Sequence, residues 1–181
     1  MIFERLPIRD GVLIKPELIG DERGFFSRVF CMNELSANGL ENNLVQVNHS
    51  FSKEKGTLRG IHYQVTPFQE VKMVRCLKGS VQDVIVDLRP ESETYLEYCS
   101  VILSDQNKNM LYVPKGFGHA FLTLEDNVDI MYFVTEYYNP NSERILRWDE
   151  QKVNIEWIIK PTVISKKDSE ARAFDPEYHL K

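Results

Sequence analysis

The feature that most constrains this chain is the rhythm of its apolar runs. Short segments rich in β-branched and aromatic residues follow one another: Gly11–Leu18, Phe25–Phe30, Leu44–Ser52, Leu58–Gln64, Val71–Leu77, Val81–Leu88, Tyr98–Leu103, Met110–Val113, Ala120–Leu124 and Asp129–Thr135. Turn signals separate them: "GDERG", "KEKG", "KGS", "RPES", "SDQNKN", "PKGFG" and "EDN". Many short strands with turns this frequent predict an all-β sandwich or barrel. Helix is scarce. "MNELSANG" predicts one short helix ended by Gly39, and "SKKDSEARAF" another late in the chain. The tail from Asn139 onward, with Trp148 and Trp157, is expected to wrap over the barrel. No repeat, linker or low-complexity tract interrupts the pattern, so residues 1–181 read as one domain.

Two consecutive strands break the apolar rule. The stretch "GTLRGIHYQVTPFQEVKMVRCLKG", Gly56 to Gly79, carries Arg59, His62, Lys72 and Arg75 inside its strands. An unpaired charge within a sheet is costly, so inward polar groups on neighbouring strands point to a site. Composition bounds what that site binds. With 43% hydrophobic and 27% charged residues the chain reads as an ordinary soluble globular protein. A net charge of −5 argues against nucleic acid as a partner, while a small anion remains compatible if basic residues converge locally. No apolar run is long enough to span a membrane, and the start, "MIFERLPIRD", lacks the layout of a secretory signal. Cys31, Cys76 and Cys99 are an odd set without CxxC spacing, which reads as reduced packing residues in the cytoplasm.

The spacing of Gly56, His62, Gln64 and Gln69, followed by Pro114-x-Gly116-x-x-His119, resembles the two cupin motifs over residues ~40–135. Cupins that bind metal place a second His and a Glu where this chain has Gln64 and Gln69. Amides are poor ligands for Zn or Fe, so the expectation is a pocket without a metal. Taken alone, these residues have plainer readings. His62 and His119 could be satisfied core histidines. Asp168, three residues after Ser165, fits a helix cap. Lys72 could guard a strand edge, Tyr132 could be a core tyrosine bonded to a carbonyl, and Arg23 in "GDERG" a solvated turn residue. His49 and His179 read as structural or exposed.

A longer set of blocks carries a more specific resemblance. "GDERGFF" (20–26), "QVNHSFS" (46–52), "LRGIHYQ" (58–64), "QEVKMVR" (69–75), "GSVQDVIVDLR" (79–89), "YVPKGFGHAF" (112–121), "YFVTEYYNP" (132–140) and "SKKD" (165–168) span nearly the whole chain. It resembles the nucleotide-sugar 3,5-epimerases of the dTDP-4-dehydrorhamnose type. The resemblance implies a homodimer of cupin jelly-roll barrels that works without a cofactor. It matches the catalytic base to His62 and the carboxylate that orients it to Asp168. It matches the enolate-stabilising lysine to Lys72 and the acid on the opposite face to Tyr132. Arg23 and Arg59 match pyrophosphate contacts, Gln46 and Asn48 a substrate-pocket pair, and Tyr138 an aromatic beside the nucleotide. Phe26, Arg28, His119 and Lys167 complete the implied binding set.

The implied chemistry suits those residue types. In a 4-keto sugar the C3 and C5 protons flank the ketone and are weakly acidic. An imidazole, unperturbed pKa about 6.5, can accept one at cellular pH. A carboxylate on its other nitrogen fixes the tautomer, an ammonium aimed at O4 stabilises the enolate, and a tyrosine hydroxyl can return a proton from the other face. One geometric demand stands against an ideal strand. Arg59 and His62, three residues apart, should point to opposite faces, so a site using both predicts a bulge or strong twist at Gly60.

The chain also departs from the family pattern. An acid expected two residues after "GFF" is Arg28 here. Arginine cannot accept from thymine N3–H but donates bidentately to guanine, which raises a GDP-linked sugar as an alternative to a dTDP-linked one. Three other functions fit part of the pattern: a cupin 3,4-ketoisomerase, a metal cupin such as a dioxygenase, and a catalytically silent sugar-binding barrel.

Overall fold

A computed structural model describes residues 1–181. In chain order its elements are β1 (Ile2–Arg5), β2 (Val12–Lys15), β3 (Ile19–Asp21), β4 (Gly24–Phe26), α1 (Met32–Ala37), β5 (Gln46–Ser52), β6 (Thr57–Gln64), β7 (Lys72–Lys78), β8 (Ser80–Asp87), β9 (Tyr98–Ser104), β10 (Met110–Val113), β11 (Phe117–Thr123), β12 (Val128–Val134), β13 (Glu143–Ile145), β14 (Val163–Ile164), α2 (Lys166–Ser169) and α3 (Pro176–His179). Each apolar run of the sequence overlaps a strand, the run Phe25–Phe30 only at Phe25 and Phe26 of β4. Two sheets pack face to face. One runs β1-β2-β10-β7-β12-β5, the other β13-β6-β11-β8-β9, with β14 pairing parallel to β6. This is an all-β jelly-roll barrel of the cupin type with short peripheral helices.

Alternation sorts the side chains into three apolar layers. Val74, Cys76, Ile85, Leu111, Phe117, Phe121 and Ile130 fill the space between the sheets. The outer face of the second sheet, through Ile61, Tyr63, Val84 and Ala120, packs against Leu146, Val153 and Phe174 of the tail. The tail therefore wraps over the barrel, as the sequence predicts. Gln82 pins it, donating to the Glu156 carbonyl at 2.9 Å and accepting from the Ile158 N–H at 2.8 Å. The outer face of the first sheet is covered in part by α1, whose Leu35 sits with Val12, Ile14, Met73 and Met110. Gly39, at φ +70°, closes α1 by donating to the Ser36 carbonyl at 3.0 Å, a left-handed terminus that favours glycine.

The late helix is shorter than the sequence implies. Only Lys166–Ser169 is helical. The chain then extends, which lets Phe174 reach the apolar layer on the second sheet and brings its N–H to the Glu150 carboxylate at 2.7 Å. The strands β1, β3, β13 and β14 and the helix α3 have no sequence counterpart in the runs above. The last three are short pieces that take their conformation from docking. All three cysteines are free. No helix is long and apolar enough to cross a membrane.

Candidate active site

The site begins with an irregularity in β6. Its pairing with β11 puts His62 opposite His119 and Arg59 opposite Phe121, three residues on one strand against two on the other. That register shift is a bulge. His119 and Phe121 share a face of β11, so Arg59 and His62 share one too, which resolves the alternation problem. Gly60 makes it possible. Its φ is +125°, and a Cβ there would lie 2.5 Å from the Ala120 Cβ, so a side chain is excluded by both conformation and space.

His62 now faces the gap between the sheets. Its Nε2 lies 2.6 Å from the Asp168 Oδ1. Asp168 is 106 positions away in sequence, and β14 delivers it. Val163 and Ile164 pair with Thr57 and Leu58 at the start of β6, so the helical turn that follows lands over His62. Ser165 caps that turn, its hydroxyl accepting from the Asp168 N–H at 3.1 Å. The cap uses the backbone of Asp168 and leaves the carboxylate for the imidazole, so Asp168 makes both contacts at once. Burial pushes the Asp168 carboxyl up. The hydrogen bond and charge of His62, with help from the Ser165 hydroxyl and the Gly60 N–H, outweigh burial and hold it below the usual carboxylate range. An ionised Asp168 can only accept, so His62 donates through Nε2 and presents the Nδ1 lone pair, which has no partner in the chain.

Lys72 opens β7 on the inner face, with Val74 and Cys76. Its Nζ is 3.2 Å from the Glu70 Oε1 and 3.4 Å from the His62 carbonyl. Tyr132 faces inward from β12, opposite Asn48 of β5. Burial, reinforced by Glu70 and opposed by Arg59, raises the Tyr132 hydroxyl above its ordinary pKa, so it keeps its proton at neutral pH. Arg59 donates Nε to the Ser52 hydroxyl at 3.2 Å and Nη2 to the Phe51 carbonyl at 3.0 Å, which leaves Nη1 free. His119 pairs with Asp83 at 2.7 Å.

These groups line two confluent cavities. One, about 500 Å³, includes Arg59, His62, Lys72, His119, Tyr132, Lys167 and Asp168. The other, about 330 Å³, includes Gln46, Asn48, His62, Lys72, Tyr132 and Tyr138. His62, Lys72 and Tyr132 belong to both and mark the waist of the cleft. At the rim, Glu143 accepts from Lys167 Nζ at 2.7 Å and from the Tyr138 hydroxyl at 3.0 Å.

Three residues of the sequence-derived set are not in this cleft. Arg23 is exposed in the β3–β4 turn and pairs with Asp21. Phe26 is exposed at the end of β4. Arg28 is 3.4 Å from Glu34, outside both cavities. Glu70, Asp83 and Glu143 belong to the site but went unread. A lone acid in a strand or tail carries no motif, and only the register of β8 and β13 brings the last two inward. The amide of Gln64 is consumed in holding a loop. It donates to the Phe68 and Tyr137 carbonyls at 2.9 and 3.2 Å and accepts from the Asn139 N–H at 2.6 Å. Gln69 lines a different cavity, with Arg89 and Gly116. His49 is an exposed partner of Asp129, and His179 is fully buried between Phe174 and Tyr178.

The cleft thus holds an oriented imidazole lone pair, an ammonium and a protonated phenol around one space, a set suited to moving protons at carbon next to a carbonyl. Comparison with known proteins agrees. A family model described as dTDP-4-dehydrorhamnose 3,5-epimerase matches residues 5–175. A dTDP-4-dehydrorhamnose 3,5-epimerase of Sinorhizobium fredii is 43% identical over 170 residues, covering 93% of this chain and 87% of that one. The crystal structure of the same enzyme from Elizabethkingia anophelis superposes with a TM-score of 0.94 at 35% identity, over 98% of each chain. A dTDP-6-deoxy-D-glucose-3,5-epimerase from Legionella pneumophila, solved with dTDP-4-keto-L-rhamnose, gives a TM-score of 0.91 at 37% identity, over 98% of this chain and 96% of that one. With this fold, this cleft and these relatives, the chain belongs to the dTDP-4-dehydrorhamnose 3,5-epimerase family.

Proposed function

We propose that this protein is a cofactor-independent isomerase that inverts C3 and C5 of a dTDP-linked 4-keto-6-deoxy sugar, in the synthesis of deoxysugars for cell-surface polysaccharide. The observation that carries this reading is the His62–Asp168 pair beside Lys72 and Tyr132 in one cleft. The His62 Nδ1 takes the C3 proton. The C–H electron pair becomes the C3–C4 double bond, and the carbonyl pair moves onto O4, where the Lys72 ammonium meets the charge. Tyr132 then delivers a proton to the opposite face of C3 as the O4 pair re-forms the carbonyl, solvent takes the proton from His62 and returns one to Tyr132, and the cycle repeats at C5. Arg59, with its free Nη1, and Lys167 suit a pyrophosphate, and the exposed ring of Tyr138 suits a base at the rim.

Turnover in D2O, followed by NMR, tests this. Deuterium is expected at C3 and C5. Label at C4 with the ketone moved to C3 would instead mark a 3,4-ketoisomerase. No label at any of these carbons would point to a silent sugar-binding barrel. In Tyr132→Phe, deuterium uptake is expected to persist while inverted product falls ~10²-fold, because base removal and return on one face continue without the opposite-face acid. Equal loss of exchange and product would count against a separate acid.

We propose dTDP as the carrier rather than GDP. The relatives are named for dTDP sugars, and Arg28 is engaged by Glu34. Calorimetric titration is expected to show dTDP binding at least about tenfold tighter than GDP, with Arg28→Ala leaving that order unchanged. A GDP preference that vanishes in Arg28→Ala would reverse the assignment.

We further infer a cytoplasmic homodimer. Three free cysteines fit a reducing compartment. Val47 and Phe51 of the edge strand β5 are 55% and 51% exposed and adjoin Phe133 and Asp129 on the outer face of the first sheet. Ile19, Phe25 and Phe26 of the β3–β4 hairpin are exposed as well. A second copy covering this face would bury them, and the hairpin's Arg23 and Phe26 could then serve a cleft only across the interface. Light scattering is expected to give twice the chain mass of 21.2 kDa, and Phe51→Asp to shift it towards one. A wild-type monomer would dismiss the dimer.

A further inference from the structure

The cleft holds two imidazole–carboxylate pairs, and they are not equivalent. His62 and His119 face each other across β6 and β11. Each offers Nε2 to an aspartate, Asp168 at 2.6 Å and Asp83 at 2.7 Å. The aspartates differ in company. Asp168 is also served by the Ser165 hydroxyl and the Gly60 N–H. Asp83 is 0% exposed, and its Oδ2 has no hydrogen-bond partner. A bare, buried carboxylate oxygen is costly, whereas a neutral acid leaves only an unpaired carbonyl oxygen. Burial accordingly pushes the Asp83 carboxyl up, against the pull of His119 and Lys72, while Asp168 ends below its usual range.

Protonation state decides what each imidazole shows to the cleft. An acid proton on the Asp83 Oδ1 is donated to the His119 Nε2. An imidazole that accepts at Nε2 carries its own hydrogen on Nδ1. The His119 Nδ1 has no partner in the chain, and its ring lines the same cavity as Lys72. We propose that Asp83 is a positioning residue that stands as a neutral acid and holds His119 in the Nδ1–H form, making His119 a second donor, beside Lys72, to the sugar oxygen that gathers charge in the enolate. The inference rests on the epimerase reading above. The two pairs then have opposite polarity, one a base and one a donor, a division of labour set by the surroundings of two like carboxyls. No proton leaves His119 in the reaction. It contributes a neutral hydrogen bond where a second cation would repel Lys72.

The tautomer can be read without substrate. Long-range proton–nitrogen spectra of 15N-histidine-labelled wild type, assigned with His119→Gln and His62→Gln, are expected to show the Nδ1–H form for His119 and the Nε2–H form for His62. An Nε2–H form for His119 overturns the proposal. Kinetics give the second arm. Asp83→Leu, of the same branched outline but unable to donate, is expected to lower kcat ~10²-fold with little change in KM, the cost of losing one such donor. Asp83→Asn can still donate an amide hydrogen to Nε2, and is expected to recover kcat to within about tenfold of wild type. If Asp83→Asn is as slow as Asp83→Leu while equally folded, Asp83 works as a carboxylate and the proposal fails. If Asp83→Leu does not fold, Asp83→Asn and the spectra still decide. A wild type that takes up no deuterium at C3 or C5 sinks the epimerase reading, whereas an active wild type with an Nε2–H His119 sinks only this inference.

Discussion

His62→Ala is expected to lower deuterium uptake at both C3 and C5 by ~10²-fold or more, the usual contribution of a general base. That ratio corresponds to about 2.7 kcal/mol of barrier. The reason lies in the waist of the cleft. His62 shares both cavities with Lys72 and Tyr132, and its Nδ1 is the one unpaired lone pair that Asp168 fixes there. Lys72 is cationic and paired with Glu70, and Tyr132 holds its proton, so neither can replace it. Calorimetric affinity for dTDP should change little, since the imidazole acts on the sugar. Near-normal turnover in His62→Ala would remove it as the base.

Asp168→Asn is expected to cost at least as much in rate and far less in stability. The Ser165 cap bonds to the backbone N–H of residue 168, so the helical turn survives the substitution. What changes is the tautomer. An asparagine amide can donate to the His62 Nε2, which moves the ring hydrogen to Nδ1 and abolishes the lone pair facing the substrate. In a serine-protease triad the same exchange costs ~10⁴, and a loss of ~10²–10⁴ is expected here. A large fall in melting temperature with intact turnover would instead make the Asp168 carboxylate a structural group that holds the α2 turn against β6. The stability effect has a definite pH signature. The folded Asp168 carboxyl lies below its usual range, so its contribution is fully present above the unfolded value, about 3.9, and fades as pH falls through the lower folded value. Wild type and Asp168→Asn should therefore differ in melting temperature near neutrality and converge in strong acid. The contrast with Asp83→Asn is diagnostic, because one aspartate acts ionised and the other as an acid.

The fold was legible because strand signals are local. Alternation along Val71–Leu77 and Asp129–Thr135 states which side chains point inward, and Lys72 and Tyr132 do. "MNELSANG" carries its own terminator in Gly39. The pieces that escaped, β1, β3, β13, β14 and α3, are two to four residues long. Segments that short have too few internal bonds to form alone, so their sequence holds little of the information that shapes them.

The site divides along the same line. From the sequence by itself come the chemical groups and their likeness to a family: a base, a lysine, a tyrosine and a distant carboxylate, with Gly60 flagged as the place where the strand must give. Only the tertiary structure decided that Arg59 and His62 share a face, because a bulge is a mismatch between two strands and belongs to neither. It also decided that Asp168 serves His62 through β14, that Glu143 closes the rim, and that Arg23, Phe26 and Arg28 stand away from their own chain's cleft. Above all it decided the company each carboxyl keeps. Asp83 and Asp168 are the same residue type in sequence, and burial against hydrogen-bond company, which only three dimensions supply, pushes the Asp83 carboxyl up and holds the Asp168 carboxyl down.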